Sequence, residues 1–575
     1  MSEIHPNVIL VITDDQGYGD LGCTGNTRIR TPEIDAFHAV STHLGDFHVS
    51  PLCTPTRGAL MTGRRPVRNG AWATCWGRSI LRRSEVTMAD VFAASGYRTG
   101  MFGKWHLGDN YPYRPFDRGF QTVVAHRGGG VGQTPDFWGN NYFDDTYFHN
   151  GDPIGHAGYC TDIWFDEAIN FIESSRDEPF FAFISTNAPH SPYLVADAYK
   201  NPYEGDPDIP EPAFYGMIAN IDENFGRLCR KLAELGIEEE TILIFMTDNG
   251  TSGGCLRDRQ EFVTTGYNAG MRGAKASYYD GGHRVPFFIR WPGGGLASAR
   301  DVEEMALHID LLPTFIELCG LAAPDGVPFD GTSLAPLLRG ECDRLPEDRV
   351  HFVQFRQNTE APEKWTNAVM TRRWRLIRGR ELYDIQADPG QQTDVAADHP
   401  DVVARLRQAH ERWWEEIEPA LGEYCPISLG SDAENPTRLC AMDVLGDVAW
   451  QQTHIVLAQK STGRWAVDVE RAGDYRISLR RWPQELELPV DAAVSPEDAD
   501  SHIYAPGTGH CNVIAPTHAK LGLFDREEIV PVKPGDIDAH FDISLAQTGV
   551  TQLDAWFIDA SGDACGAYYV SVERL

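Results

Sequence analysis

The sequence lacks any apolar run long enough to cross a bilayer, and none of its 12 cysteines forms a Cys-x-x-Cys pair. A membrane-spanning helix, a zinc ribbon and a dense disulfide scaffold are therefore not expected, and most thiols read as reduced and buried. Base is scarce. The chain has 50 Lys plus Arg against 83 Asp plus Glu, a formal charge of −33, which argues against nucleic acid or an anionic membrane as a partner held by bulk charge. The pair Gly103-Lys104 lacks P-loop spacing, Gly128-Gly-Gly130 lacks the last glycine of a dinucleotide fingerprint, and no Gly-x-Ser-x-Gly elbow occurs. These gaps set aside the NTPase, dehydrogenase and serine esterase classes. Neither a basic nor an apolar leader region precedes Asn7, so a cytoplasmic location is expected.

What is present is 575 residues, 42% of them apolar, enough for several domains and a large core. Short β-branched and aromatic runs, at 8–13, 99–102, 180–185, 241–247 and 285–290, alternate with helical patterns. Between two of them Phe214, Ile218, Ile221, Phe225, Leu228 and Leu232 recur at three- or four-residue spacing, which predicts an amphipathic helix over 212–235 ended by Gly236. This alternation predicts an α/β fold, with a large, mostly parallel sheet sandwiched by helices over residues 1–340. Alternating segments at 351–355 and 374–377, then a helix near 400–418, predict a small α+β subdomain over 341–424. From 425 to 575, runs such as 465–470 and 475–480 with turns between them predict a C-terminal β-rich, sandwich-like extension. Within it the acidic stretch 484–500 reads as a solvated loop, with a lid as the alternative.

In an open α/β sheet, ligands collect beyond the carboxyl ends of the strands. Two runs end in acid there, one at Asp14-Asp15 and one at Asp248-Asn249. If those strands are neighbours, three carboxylates and a carboxamide converge, an arrangement that calls for a hard divalent cation; taken singly, each pair reads equally well as turn or capping residues. The most specific stretch is Cys53-Thr-Pro55-Thr-Arg57, followed by Leu60-Met-Thr62-Gly63. The phosphatase loop Cys-x5-Arg does not fit it, because Ala59 stands where the arginine belongs.

Cys-x-Pro-x-Arg with Leu-x-Thr-Gly resembles the maturation signature of the type I sulfatase family of the alkaline-phosphatase superfamily, in which the cysteine is oxidised to formylglycine. Thr56 stands where serine is commoner. The resemblance continues in order through Thr13-Asp-Asp-Gln-Gly-Tyr-Gly-Asp20, Gly103-Lys104-Trp-His106-Leu-Gly108, Ala188-Pro-His190, Arg272-Gly-Ala-Lys275, Gly281-Gly-His-Arg-Val-Pro286 and Glu381-Leu-Tyr-Asp384. It spans roughly residues 5–420 and leaves the C-terminal region unmatched.

The resemblance implies an alkaline-phosphatase-like fold and hydrolysis of sulfate monoesters, most simply as an arylsulfatase. It implies that Asp14, Asp15, Asp248 and Asn249, with position 53, bind a divalent cation, Ca²⁺ ahead of Mg²⁺ or Mn²⁺. One hydroxyl of the hydrated formylglycine from Cys53 would attack sulfur, giving a covalent sulfo-enzyme as the ester oxygen leaves. Deprotonation of the geminal hydroxyl would then expel sulfate and restore the aldehyde. Family resemblance places His106 as the base for that collapse, Arg57 and Lys104 on the hydrate and a sulfate oxygen, and His190 with Lys275 on the leaving-group side. Expected partners are a small sulfate ester (aryl, alkyl or sugar) and a formylglycine-generating enzyme. A homo-oligomer is compatible with the composition but not specified by it.

Several features invite other readings. Seven arginines and no acid lie between Cys53 and Arg83 (Arg57, Arg64, Arg65, Arg68, Arg78, Arg82 and Arg83), which suggests an anion-attracting mouth. Trp72, Trp76, Trp138, Tyr142 and Phe143 suggest aromatic walls for a ring, with core packing as the alternative. His38, His43 and His48 read as structural. The rival activity within the superfamily is a phosphonate monoester or phosphate diester hydrolase; the rival class is a silent relative that binds sulfated ligands.

Overall fold

The computed structural model describes residues 5–494 and 511–575, apart from 297, 325, 347 and 348. Its central sheet is built from β1 (Asn7–Thr13), β2 (Thr42–His48), β3 (Arg98–Lys104), β4 (Thr122–His126), β5 (Thr146–His149), β6 (Asp152–Gly155), β7 (Phe180–Ser185) and β8 (Thr241–Thr247). A separate hairpin follows, β9 (Cys255–Arg257) and β10 (Val263–Gly266), before β11 (Phe287–Arg290) and β12 (Arg300–Leu307) rejoin the sheet. The spatial order is β12-β2-β11-β8-β1-β7-β3-β4-β5-β6. Strands β8, β1, β7, β3 and β4 run parallel, whereas β11 is antiparallel to both its neighbours.

Strand alternation divides the core. Val8, Leu10 and Ile12 face one layer, with helices at Cys53–Thr62, Met88–Ala94 and Leu311–Cys319, while Ile9 and Val11 face the other, with the helix Pro212–Leu235. That helix has the predicted limits. Pro212 opens it, the Glu211 carboxylate accepts from the Ala213 amide, and Gly236 closes it at φ 69°. The expected strand at 285–290 starts only at Phe287, because Pro286 has no N–H to offer a neighbour.

A four-stranded antiparallel sheet of β13 (His351–Gln354), β14 (Asn367–Met370), β15 (Trp374–Ile377) and β16 (Glu381–Asp384) packs on the helix Pro400–Ile417. Its tie to the central sheet is partly apolar, through Met305 of β12 against Val353, Ala368, Met370 and Ile377, and partly ionic: buried Arg375 of β15 donates to Asp280 at 2.9 Å and also approaches Asp46 and His48 of β2.

The C-terminal region is a two-sheet sandwich. One sheet orders β17 (Ile427–Leu429), β19 (Arg464–Val469), β24 (Gly549–Asp559), β21 (Pro516–Leu523) and β22 (Arg526–Pro531), with β25 (Ala564–Gly566) on β24. The other orders β18 (Thr437–Cys440), β26 (Tyr569–Arg574), β20 (Gly473–Arg480) and β23 (Ala539–Leu545). Strands β19 and β20, consecutive in sequence, lie in opposite sheets, so the turn between them crosses the sandwich. The acidic stretch is not wholly solvated, because Val490 and Val494 are buried; its residues 495–500 lie outside the described residues.

Apart from Arg57, which stands in the candidate site, the arginine run does not form an anion mouth. Arg64 pairs with Glu85, Arg65 with Asp330, Arg68 with Glu416, Arg82 with Glu423 and Arg83 with Glu470, while Arg78 stacks on Trp72 and Tyr424. The run is acid-free because its counter-charges come from later in the chain, and it fastens the smaller sheets to the central one. The aromatics serve packing as well. Trp72 is buried with Trp413, Trp138 meets the edge of Trp482, and Phe143 tilts against Tyr159. Tyr142 is the exception: buried itself, its hydroxyl donates to the His190 carbonyl at 3.1 Å.

Candidate active site

Strands β1 and β8 pair in parallel with Thr13 opposite Thr247, so Asp14-Asp15 and Asp248-Asn249 emerge side by side. Ligand atoms of Asp14, Asp15 and Asp248 all lie within 4.8 Å of one another, and all three residues are buried. Three cations answer them. The Arg57 guanidinium donates to Asp248 at 2.8 Å, Lys104 Nζ lies 2.6 Å from Asp14, and Lys275 Nζ lies 2.6 Å from Asp15. The Asn249 amide donates to Asp15 at 3.0 Å. Asp14 Oδ1 and Asn249 Oδ1 are buried without a hydrogen-bond partner. Unpartnered hard oxygens beside clustered carboxylates are the donor set that a divalent cation takes, so the residues fit one.

The field is uneven. Burial opposes ionisation of Asp15, but Lys275, His190 and Lys104 outweigh it and hold the carboxyl below its usual range. Burial, with Asp14 beside it, pushes Asp248 up to about 7. A cation at this point is the counter-charge that would keep Asp248 ionised.

Cys53 is the first residue of the helix Cys53–Thr62, preceded by extended Leu52, whose side chain provides no cap. The free N–H groups and positive pole of that helix therefore favour negative charge at position 53. Arg57 stands one turn along the same helix, and its guanidinium also reaches the Lys104 carbonyl and the Ser185 hydroxyl. His106 Nδ1 is 3.4 Å from Cys53 Sγ, and its Nε2 is 2.9 Å from the Thr74 carbonyl. A carbonyl only accepts, so Nε2 carries the proton and Nδ1 turns a lone pair toward Cys53. Burial, reinforced by Lys104, holds this imidazole well below its usual value, and hence neutral.

His190 is held in the same way. Its Nδ1 is 2.6 Å from the Ser191 carbonyl and so carries the proton, while Nε2 faces Asp15 at 3.8 Å. Burial and Lys275 push it down to about 3. Asp15 and His106 are held at positive φ, 71° and 60°, the kind of backbone strain that collects at functional positions. A side-chain carbon on Gly129 would lie 2.3 Å from the His106 ring, so only glycine lets the 128–130 segment close over it.

The structure thus gathers Cys53, Arg57, Lys104, His106, His190, Lys275, Asp14, Asp15, Asp248 and Asn249 around one point. Sequence reasoning missed Ser185, Thr74 and Gly129. Ser185 ends the run 180–185 and was open to the same strand-end rule, whereas Thr74 contributes only a carbonyl and carries no signal. His48 lies elsewhere, bonded to Asp46 and His283. The carboxylates Asp46 and Asp280 near it resemble a metal cluster, but Arg375 supplies the positive charge between them.

The Sulfatase family model matches residues 6–321, and the model described as N-sulphoglucosamine sulphohydrolase, C-terminal, matches 274–416. Human arylsulfatase A is 31% identical over 377 residues, covering 60% of this chain and 70% of that protein. The N-acetylgalactosamine-6-O-sulfatase of Bacteroides thetaiotaomicron is 28% identical over 505 residues, covering 71% of this chain and 92% of that one. Among solved structures, that of Ps i-CgsB in complex with k-i-k-neocarrahexaose superposes with a TM-score of 0.63 at 26% identity, covering 71% of this chain and 92% of that one.

Proposed function

Since the chain belongs to the sulfatase family of sulfuric ester hydrolases, we propose that it hydrolyses sulfate monoesters at Cys53 after that residue is oxidised to formylglycine. The observation that carries this reading is the Cys53–His106 pair: a side chain at a helix N-terminus, 3.4 Å from an imidazole nitrogen whose lone pair is left free by the bond to Thr74. The aldehyde hydrate supplies two hydroxyls on one carbon, one to attack sulfur and one whose deprotonation releases sulfate. A divalent cation held by Asp14, Asp15, Asp248 and Asn249 would supply positive charge to the sulfate oxygens.

The chain's own residues do the rest. Three carboxylates and three cationic side chains cancel, so a bound divalent ion leaves the centre positive, which suits an anionic ester. Arg57 is anchored at Asp248 and Ser185, and Lys104 at Asp14, so each presents charge without moving. His106 Nδ1 accepts the proton of the group at position 53. His190 Nε2, aimed past Asp15, serves the leaving oxygen; it becomes a donor by taking up a proton as the anionic substrate binds, and Lys275 beside it offsets the developing charge.

The test is the mass of the peptide spanning Cys53, followed by turnover of 4-nitrophenyl sulfate beside a phenylphosphonate ester. The expected result is a mass lower by the thiol-to-aldehyde difference, kcat/KM larger for the sulfate, and no turnover by Cys53→Ala. Full turnover by Cys53→Ala overturns the mechanism, and a larger kcat/KM for the phosphonate ester overturns the substrate class.

A further inference from the structure

Where β4 ends, the central sheet meets the outer face of the sandwich sheet β18-β26-β20, and three guanidiniums gather there. Arg127 follows β4, and its guanidinium lies 4.0 Å over the Phe148 ring. Arg438 pairs with Ser571, and Arg480 with Tyr569, so both arginines rise from one sheet face, about 10 Å apart across the strands. The Tyr569 hydroxyl donates to the Thr134 carbonyl at 2.9 Å, and the Trp138 amide donates to Glu485 at 3.2 Å, which sets this face against the segment that follows Arg127.

The three arginines differ from those of the 53–83 run. Among the described residues, no side-chain hydrogen bond or ion pair engages Arg127, Arg438 or Arg480, and two guanidinium nitrogens of Arg480, Nε and Nη2, are buried without a partner. Three carboxylates lie near the cluster without pairing with it: Glu434 takes the Tyr111 amide and Arg114, Glu485 takes the Trp138 amide, and Asp109 takes the Gly128 amide, so their charge offsets the guanidiniums from a distance and leaves their N–H groups unbonded. In a chain of charge −33, buried guanidinium nitrogens of Arg480 without a hydrogen-bond partner, beside an Arg438 that is close enough to feel both Arg480 and Arg127, have the chemistry that binds an anion.

The cluster is close to the reaction centre. His126, the residue before Arg127, lies opposite Lys104 in the sheet, and Gly129, two residues after it, abuts His106. Two residues of backbone and one arginine side chain put the Arg127 guanidinium within about 15 Å of Cys53, inside the reach of a short oligosaccharide.

Building on the sulfatase reading, we propose that this arginine cluster is a second anion subsite and that the substrate is an oligosaccharide carrying a further sulfate or carboxylate beyond the ester that is cleaved. The subsite selects by charge and distance, and a small aryl sulfate does not reach it.

Calorimetry on Cys53→Ala protein, which binds without turnover, measures affinity for a heparin-derived hexasaccharide (sulfate and carboxylate), a carrageenan-derived hexasaccharide (sulfate only) and galactose 6-sulfate. The expected result is that at least one hexasaccharide binds 10-fold or more tighter than the monosaccharide. That gain should disappear when Arg127→Gln, Arg438→Gln and Arg480→Gln are combined, and weaken in high salt. Binding of the carrageenan fragment assigns the subsite to sulfate, and binding of the heparin fragment alone assigns it to carboxylate. Arg438→Gln by itself, at an exposed side chain, gives a partial loss and covers the case in which the triple variant fails to fold. In matured enzyme the same changes should leave KM for 4-nitrophenyl sulfate within twofold. Hexasaccharides that bind no better than galactose 6-sulfate, or equally well to the variants, overturn the proposal. Failure of matured wild-type protein to hydrolyse 4-nitrophenyl sulfate counts against the sulfatase reading alone, because the calorimetry still decides the role of the arginine cluster.

Discussion

At the scale of single residues the site is governed by where protons are fixed. Thr74 holds the His106 proton on Nε2 with its backbone carbonyl, so side-chain substitutions at Thr74 should matter little, while displacement of the ring should matter greatly. Gly129→Ala is the direct test. Its new methyl would lie 2.3 Å from the His106 ring and push it aside, and a shift of about 1 Å in a catalytic group costs on the order of 100-fold. The expected outcome is that loss in kcat with the thermal midpoint nearly unchanged, read by steady-state kinetics and calorimetry on the same sample. Ser185→Ala removes a hydroxyl that accepts from Arg57 and donates to the Lys104 carbonyl. Loss of about 1–2 kcal/mol of positioning predicts a roughly 10-fold fall in kcat, partly restored by Ser185→Thr.

Among the elements, the junction of β2, β15 and the Asp280 turn is held by one buried guanidinium. Arg375 faces Asp280 and Asp46, and Asp46 is held below its usual range because His48 and Arg375 together outweigh its burial. Replacing Arg375 by Met preserves bulk but strands two carboxylates in the interior, at a cost of about 3–5 kcal/mol. Urea denaturation should show a lower midpoint for Arg375→Met, and an unchanged midpoint would mean that the small sheet is held by its apolar contacts instead. Similar reasoning explains why β2 was not anticipated. Its sequence, Thr42-His-Leu-Gly-Asp-Phe-His48, reads as polar, yet the polar members are buried against partners that lie 235 and 329 residues away.

For the whole molecule, the arginine run works as a set of fasteners. Arg78→Gln, Arg82→Gln and Arg83→Gln together should leave KM for a small sulfate ester within twofold and lower the thermal midpoint modestly, since exposed pairs such as Arg83–Glu470 contribute about 0–1 kcal/mol each. A raised KM would restore the mouth reading. Stability should also depend on pH in a set direction. Burial pushes Asp20, Asp136, Asp222 and Asp443 each up to about 7. Unfolded, such carboxyls titrate near about 3.9, so between about 4 and 7 the folded chain binds more protons than the unfolded one. Their contribution is full below about pH 4 and is lost as pH rises through about 7, so thermal midpoints measured across that window should fall on the alkaline side.

Much of this protein was determined by local sequence. Apolar runs of six or seven residues specified β1, β7 and β8, and the acids that follow β1 and β8 pointed to a metal-type cluster, because strand burial and strand ends leave a period and a polarity change that survive without tertiary context. The long helix was legible to the residue from its spacing, its proline and its glycine. The loop around Cys53 was legible because its residues act within a single turn of helix. Tertiary structure alone decided the rest. The tautomer of His106, the glycine that admits its ring, the counter-charges of the arginine run and the convergence of Arg127, Arg438 and Arg480 are each made between segments far apart in sequence. A charge carries no mark in the sequence of which partner, if any, it will meet, since that pairing is set by packing and desolvation once the sheets have come together.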